Sequence, residues 1–152
     1  KNIHAYVFGE HGDTSFIPWS IANVCGVPAD EYVELVKNID KEVTPVDKEA
    51  MITYVRKSGG QVIANEGATF YAVSASVCAL CGILAASDES MATVSSMMHG
   101  EYGIEDVCVS TLTLVGPNGI QGKVPVKLTE EEIAKLKASA DALKEVIAQI
   151  EL

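Results

Sequence analysis

From Thr69 to Ala86 no side chain is charged, and Ala, Val, Leu and Cys occupy almost every helical face. A helix that is apolar all round has to be covered, either by a protein core or by lipid. The lipid option fails here. The strongly apolar part, Val73 to Ala86, is interrupted by Ser74 and Ser76 and falls short of the roughly 20 residues a membrane span needs. The run therefore predicts a central helix buried on most sides, ended by Ser87-Asp88-Glu89-Ser90, in a chain expected to be soluble. With 152 residues, 48% of them hydrophobic and 21% charged, the chain is long enough for one domain with a sizeable core.

Around that helix the residues alternate between two periodicities. Ile3, Ala5 and Val7 alternate with His4, Tyr6 and Phe8, which predicts a strand broken by Gly9 and Gly12. Ile17 to Val24 reads as a short helical stretch closed by Cys25-Gly26-Val27-Pro28, and Asp30 to Val36 as a second short amphipathic turn or helix. Asp47 to Ile63 has helical spacing, with a bend or break expected at Ser58-Gly59-Gly60 because each Gly costs about 1 kcal/mol relative to Ala. Strands are expected over Thr93–Met98 and Asp106–Val115, and Gly116-Pro117-Asn118-Gly119 turns the chain back into an antiparallel strand from Ile120 to Leu128. Thr129 and Glu132 form a capping box ahead of Ile133, Leu136, Ala140, Leu143, Ile147 and Ile150, which recur every three or four residues as a long amphipathic helix. With no internal repeat or linker, the pattern is that of a single α+β domain over residues 1–152.

Composition excludes several functions. Eleven Lys and Arg against 21 Asp and Glu give a net charge of −10 and an isoelectric point near 4.6, so no electrostatic footprint exists for nucleic acid or an anionic membrane. Cys25, Cys78, Cys81 and Cys108 lack the spacing of a small disulfide framework. No signal peptide is expected, no Asn-x-Ser/Thr acceptor occurs, and a reducing cytoplasm is the expected compartment. The chain starts at Lys1 without methionine and enters an apolar strand at once, as a piece of a longer protein would.

Neither the dinucleotide fingerprint G-x-G-x-x-G nor the phosphate loop G-x-x-x-x-G-K-[ST] is present. Cys78-x-x-Cys81 is half of a zinc site with no second pair at ligand spacing, and inside an apolar helix it reads as core packing; no metal is expected. The dense cluster is Gly9-Glu10-His11-Gly12-Asp13-Thr14. An imidazole can give and take a proton at neutral pH, and flanking glycines let the backbone come close to a substrate, so His11 is a candidate general acid/base. The same residues also suit a loop His held by turn hydrogen bonds, with Glu10 and Asp13 organising the loop. No Ser or Cys elbow accompanies the cluster, so a hydrolase is not indicated.

At this cluster the chain resembles the NAD-dependent L-lactate and malate dehydrogenases, specifically their C-terminal substrate-binding half, and is most like the bacterial L-lactate dehydrogenases. Gly9-Glu10-His11-Gly12-Asp13-Thr14 is similar to the family's active-site motif. Pro18-Trp19-Ser20, Asn65-Glu66-Gly67-Ala68-Thr69-Phe70-Tyr71-Ala72, Gly100-Glu101-Tyr102-Gly103 and the capped terminal helix follow in order. The resemblance implies an α+β fold of antiparallel strands with long helices, and a separate upstream Rossmann half carrying the NAD site, the aspartate that orients the histidine and the arginines that clamp the substrate. It implies that His11 exchanges a proton with the C2 oxygen of a 2-keto or 2-hydroxy acid while hydride passes to or from the nicotinamide. Thr69 matches a residue lining the substrate side-chain pocket in lactate-type members, although its hydroxyl also suits a helix N-cap. Val73 matches an aliphatic residue packed near the nicotinamide.

His4, seven residues before His11, matches the histidine that helps bind fructose bisphosphate in activator-regulated bacterial members, where a subunit interface supplies cations to the phosphates. Three departures accompany the likeness. Phe8 replaces a small aliphatic residue and threatens to crowd its strand, Pro18 is shifted by one, and Gly60 replaces a bulkier residue. The expectation is a cytoplasmic homo-oligomer, dimer or tetramer, that interconverts pyruvate and L-lactate with NAD, this fragment alone being inactive. The alternatives are a malate or other 2-hydroxy acid dehydrogenase of the same family, and a non-catalytic binding or oligomerisation module.

Overall fold

The computed structural model describes residues 2–39 and 44–150. Two small antiparallel sheets and four helices follow one another along the chain. The first sheet takes β1 (Ile3–His4), β2 (Asn23–Val24) and β3 (Val27–Pro28) in that order. Helices α1 (Ala29–Lys37), α2 (Lys48–Glu66) and α3 (Tyr71–Ala85) come next. The second sheet takes β4 (Ser90–His99), β5 (Glu105–Gly116) and β6 (Gly119–Lys123), and α4 (Glu130–Ile147) closes the fold. This is the expected α+β arrangement of antiparallel strands and long helices.

The core lies where α4 packs on β5. Met98, Val109, Leu136 and Ala140 are buried there, joined by Phe8 and Phe16 from the N-terminal segment. Phe8 is fully buried and meets Phe16 edge-on with ring centroids 6.2 Å apart. It fills the core; it does not crowd a strand. Thr129 and Glu132 form the expected capping box at the head of α4. The apolar stripe of α4 is covered at Leu136 and Ala140, whereas Ile147 at its end stands exposed, as does Ile150, which the helix does not reach.

Several local expectations give way to turn chemistry. The strand expected from Ile3 to Phe8 is regular only at Ile3–His4, and it resumes as isolated bridges at Phe8 and Gly9. The segment before Pro28 is a hairpin, not a helix, after a single 3-10 turn at Trp19–Ile21. Cys25 and Gly26 both take positive φ, at 54° and 83°, as a two-residue turn matched to the strand twist requires. The Asn23 side chain accepts the Gly26 N–H at 3.1 Å and fixes that turn.

Helix α2 runs unbroken through Gly59-Gly60, because capping at both ends offsets two glycines whose cost is modest. Asp47 accepts the Ala50 N–H at 2.9 Å, and Gly67, at φ 81°, ends the helix in the left-handed region. Strand β6 stops at Lys123, short of Leu128, since Pro125 has no N–H to give to a ladder.

The largest correction concerns α3. Its composition predicts burial on most sides, yet none of its residues is buried, and Val73 and Val77 are 50% and 54% exposed. The helix packs along β5 and leaves the rest of its apolar surface open. Cys78 and Cys81, expected in the core, are exposed with it, as are Cys25 and Cys108. All-round hydropathy demands a cover, but it does not say that the same segment of chain provides it.

Candidate active site

Phe8 and Phe16 exchange two backbone hydrogen bonds, at 2.8 and 3.0 Å, and this bridge closes the base of the loop that carries His11. One residue on, Gly9 exchanges another pair with Ser110 of β5, at 3.0 and 2.8 Å. The loop is thus stitched to the central strand of the second sheet. Gly9 sits at φ +99°, and a Cβ built there would lie 2.5 Å from the Ser139 hydroxyl oxygen. Only glycine fits.

Above that base, polar side chains hold the loop from within. The Glu10 N–H donates to Ser139 Oγ at 2.7 Å, while the Glu10 carboxylate accepts from both the N–H and the hydroxyl of Thr14, at 3.0 and 2.6 Å. The Ser15 hydroxyl donates to the Gly12 carbonyl at 2.8 Å. From α2, Arg56 Nε donates to the Ser15 carbonyl at 2.9 Å, with Nη2 on the same oxygen. Glu10 is therefore a loop organiser, and Asp13 stands exposed nearby.

His11 sits exposed on this loop and faces a cleft of about 840 Å³. Glu10, Ser76 of α3, Ser95 of β4 and Ser110 of β5 line it with polar groups, while Ala5, Val7 and Leu143 give it an apolar share at least as large. Thr69 is exposed in the connection between α2 and α3, and neither it nor Val73 lines this cleft. Thr69 does not cap α3 either. Phe70 holds the N-cap position, and no side chain caps it. His4 lies elsewhere, on β1 opposite Asn23, at an apolar cavity of about 530 Å³ lined by Tyr6, Trp19, Tyr32 and Met51 among others. No Lys or Arg is among the described residues of that cavity.

The perturbed acids and bases lie outside the cleft and are structural. Burial pushes the Glu132 carboxyl up, but hydrogen bonds from Ser20 and Thr129 outweigh it and hold it below the usual carboxylate value. Burial lowers Lys123, whose Nζ donates to the Ser96 carbonyl and hydroxyl, and raises Tyr102, whose hydroxyl donates to the Val126 carbonyl. Among the described residues no cluster of three or more His, Cys, Asp or Glu gathers as a metal site.

Ser139 escaped the sequence reading. A signal existed, since Leu136, Ser139, Ala140 and Leu143 share one helical face and a Ser on a buried face must find a partner. Its partner, 129 residues away, was not legible from spacing.

An α+β domain that presents a loop-borne histidine at an open cleft is the class that the fold and the site define. Comparison makes it particular. Residues 1–151 match the family model described as lactate/malate dehydrogenase, alpha/beta C-terminal domain, and the chain belongs to that family. It is 37% identical over its whole length to an L-lactate dehydrogenase of Acetivibrio thermocellus, covering 47% of that protein. It is 39% identical over 97% of its length to L-lactate dehydrogenase 2 of Clostridium acetobutylicum, covering 45% of it. The chain spans about half the length of the curated relatives it matches.

Solved structures agree in fold. An L-lactate dehydrogenase from Clostridium thermocellum superposes with a TM-score of 0.85 at 31% identity, over 99% of this chain and 47% of that one. A malate dehydrogenase from Archaeoglobus fulgidus, solved in complex with NADH, gives 0.78 at 31% identity, over 95% and 43%.

Proposed function

We propose that this chain is the substrate-binding half of an NAD-dependent L-lactate dehydrogenase, in which His11 is the acid/base. The observation that carries the reading is the anchored loop, which fixes the backbone on both sides of His11 and leaves the imidazole facing an open cleft of mixed lining with several hydroxyls. A positioned imidazole with no structural task is what proton transfer to a bound substrate needs. In the reductive direction His11 protonates the C2 oxygen of pyruvate, and in the oxidative direction it takes the hydroxyl proton of L-lactate.

NADH, when bound, supplies the hydride. This chain has no Gly-rich phosphate turn to hold a dinucleotide; Val73, exposed on the uncharged α3, is the residue here that would contact the nicotinamide. The upstream half of the protein holds the rest of the cofactor and the cations for the substrate carboxylate. That half and neighbouring subunits, in a dimer or tetramer, cover the exposed apolar surface of α3. Thr69, at the entry to α3, bounds the substrate's methyl group when the halves close. His4 is assigned to fructose bisphosphate, with its exposed imidazole in support and with the companion cations coming from outside this chain. Four unpaired cysteines support a cytoplasmic location, and no helix among the described residues is long and apolar enough to cross a membrane.

The malate dehydrogenase likeness favours one second reading, oxaloacetate in place of pyruvate. Steady-state rates of the full-length protein with NADH and each keto acid separate the two. A kcat/KM for pyruvate at least tenfold above that for oxaloacetate is expected. The reverse ratio selects malate, and no NADH oxidation with either acid overturns the dehydrogenase reading.

A further inference from the structure

Behind the loop lies a ring of hydrogen bonds that begins and ends on one residue. The Glu10 N–H donates to Ser139 Oγ at 2.7 Å, the Ser139 and Thr14 hydroxyls are 2.9 Å apart, and the Thr14 hydroxyl reaches Glu10 Oε1 at 2.6 Å. A hydroxyl has one hydrogen. Thr14 spends its own on the short bond to the carboxylate, where the charge strengthens it, so the bond between the hydroxyls must run from Ser139 to Thr14. Each hydroxyl then accepts once and donates once. The circuit runs from the Glu10 amide through Ser139 and Thr14 back to the Glu10 carboxylate, and such chains polarise and reinforce one another.

We propose that Ser139 is the positioning residue for His11, acting through this ring. The inference rests on the reading of His11 as the acid/base. Ser139 is fully buried in α4, on the same buried face as Leu136 and Ala140, so it is held from a packed helix. The ring ties down Glu10, immediately before His11, and Thr14, three residues after it. The close approach explains Gly9 as well, since the Ser139 hydroxyl oxygen occupies the space a Cβ there would need. Ser139 does not line the cleft. Removing its oxygen leaves the Glu10 N–H without its acceptor and lets the loop re-settle, and a displacement of about 1 Å in a catalytic group can cost about 100-fold in rate.

The test uses the full-length protein. Ser139→Ala and Thr14→Val each break the ring, while Thr14→Ser keeps the hydroxyl and closes it again. Expected for Ser139→Ala and Thr14→Val is a kcat lower by about 10- to 100-fold, with KM for pyruvate and Kd for NADH within about twofold. Thr14→Ser should recover most of the rate. Hydrogen exchange of the peptide spanning residues 9–16 should quicken at least about tenfold in Ser139→Ala, ahead of any global change. Wild-type kcat in both ring-breaking variants overturns the proposal, as does a rate loss that only tracks the folded fraction, or Thr14→Ser behaving like Thr14→Val. Should the wild-type protein oxidise NADH with neither pyruvate nor oxaloacetate, the dehydrogenase reading fails, and exchange alone decides the ring: faster exchange in Ser139→Ala upholds it and equal exchange refutes it.

Discussion

Ser20 gives both its backbone N–H and its hydroxyl to the carboxylate of Glu132, 112 residues further along the chain. The same carboxylate accepts the Thr129 N–H at 2.9 Å as the return half of the capping box. One buried side chain thus caps α4 and docks the segment that follows the His11 loop against it.

The first expectation follows from that carboxylate. Burial pushes Glu132 up, and the hydrogen bonds from Ser20 and Thr129 overcome it, so the folded pKa lies below the unfolded one. The sign is then fixed. The stabilisation is fully present above the ordinary value near 4.5 and is lost as pH falls through the depressed folded value. Glu132→Gln should cost about 1–3 kcal/mol at pH 7, the worth of hydrogen bonds to a charged group, and less at pH 3. Urea unfolding at both pH values checks this. An equal loss at both would show that the charge is irrelevant.

Gly9→Ala tests the approach of the loop to α4. The new Cβ meets the Ser139 hydroxyl at 2.5 Å and imposes a side chain at φ +99°. Strain and overpacking together should cost about 2–4 kcal/mol. Adding Ser139→Gly removes the clash but not the backbone strain, so the double variant should lose less than the sum of the two single variants. Chemical denaturation of all four proteins measures the coupling, and strict additivity would mean the two residues do not touch.

Exchange of the imidazole separates chemistry from binding. In the full-length protein His11→Gln should lower turnover by about 100- to 10,000-fold, while NADH affinity and melting temperature stay near wild type. His11 is exposed, so its loss removes little packing. A fall in melting temperature that accounts for the lost rate would assign His11 a structural role.

Two positions on α4 differ in burial despite sharing one periodic stripe. Leu136 is fully buried and Ile147 is 52% exposed. Leu136→Ala should destabilise by about 2–5 kcal/mol, and Ile147→Ala in this chain by under about 0.5 kcal/mol. Thermal unfolding of the two variants decides whether the stripe is buried along its whole length.

What was legible in the sequence was local. The capping box at Thr129 and Glu132, the turn at Pro117-Asn118, and the glycine-bracketed His11 cluster each depend on residues within a few positions of one another, where spacing and side-chain chemistry determine the conformation. The α+β pattern followed from those pieces. Before Pro28 apolar spacing predicts a helix, but the Asn23-Val24-Cys25-Gly26 turn chemistry, equally local, outweighs it and makes a hairpin.

Tertiary structure alone decided the rest. Nothing in the composition of α3 tells whether its cover comes from this segment of chain, because hydropathy measures a demand for burial and carries no address. Nor does spacing tell which helix meets the His11 loop, since Ser139 and Glu10 are 129 residues apart and come together only when β5 and α4 pack. Periodicity reports which face of an element is buried; only packing of the whole chain selects the partner.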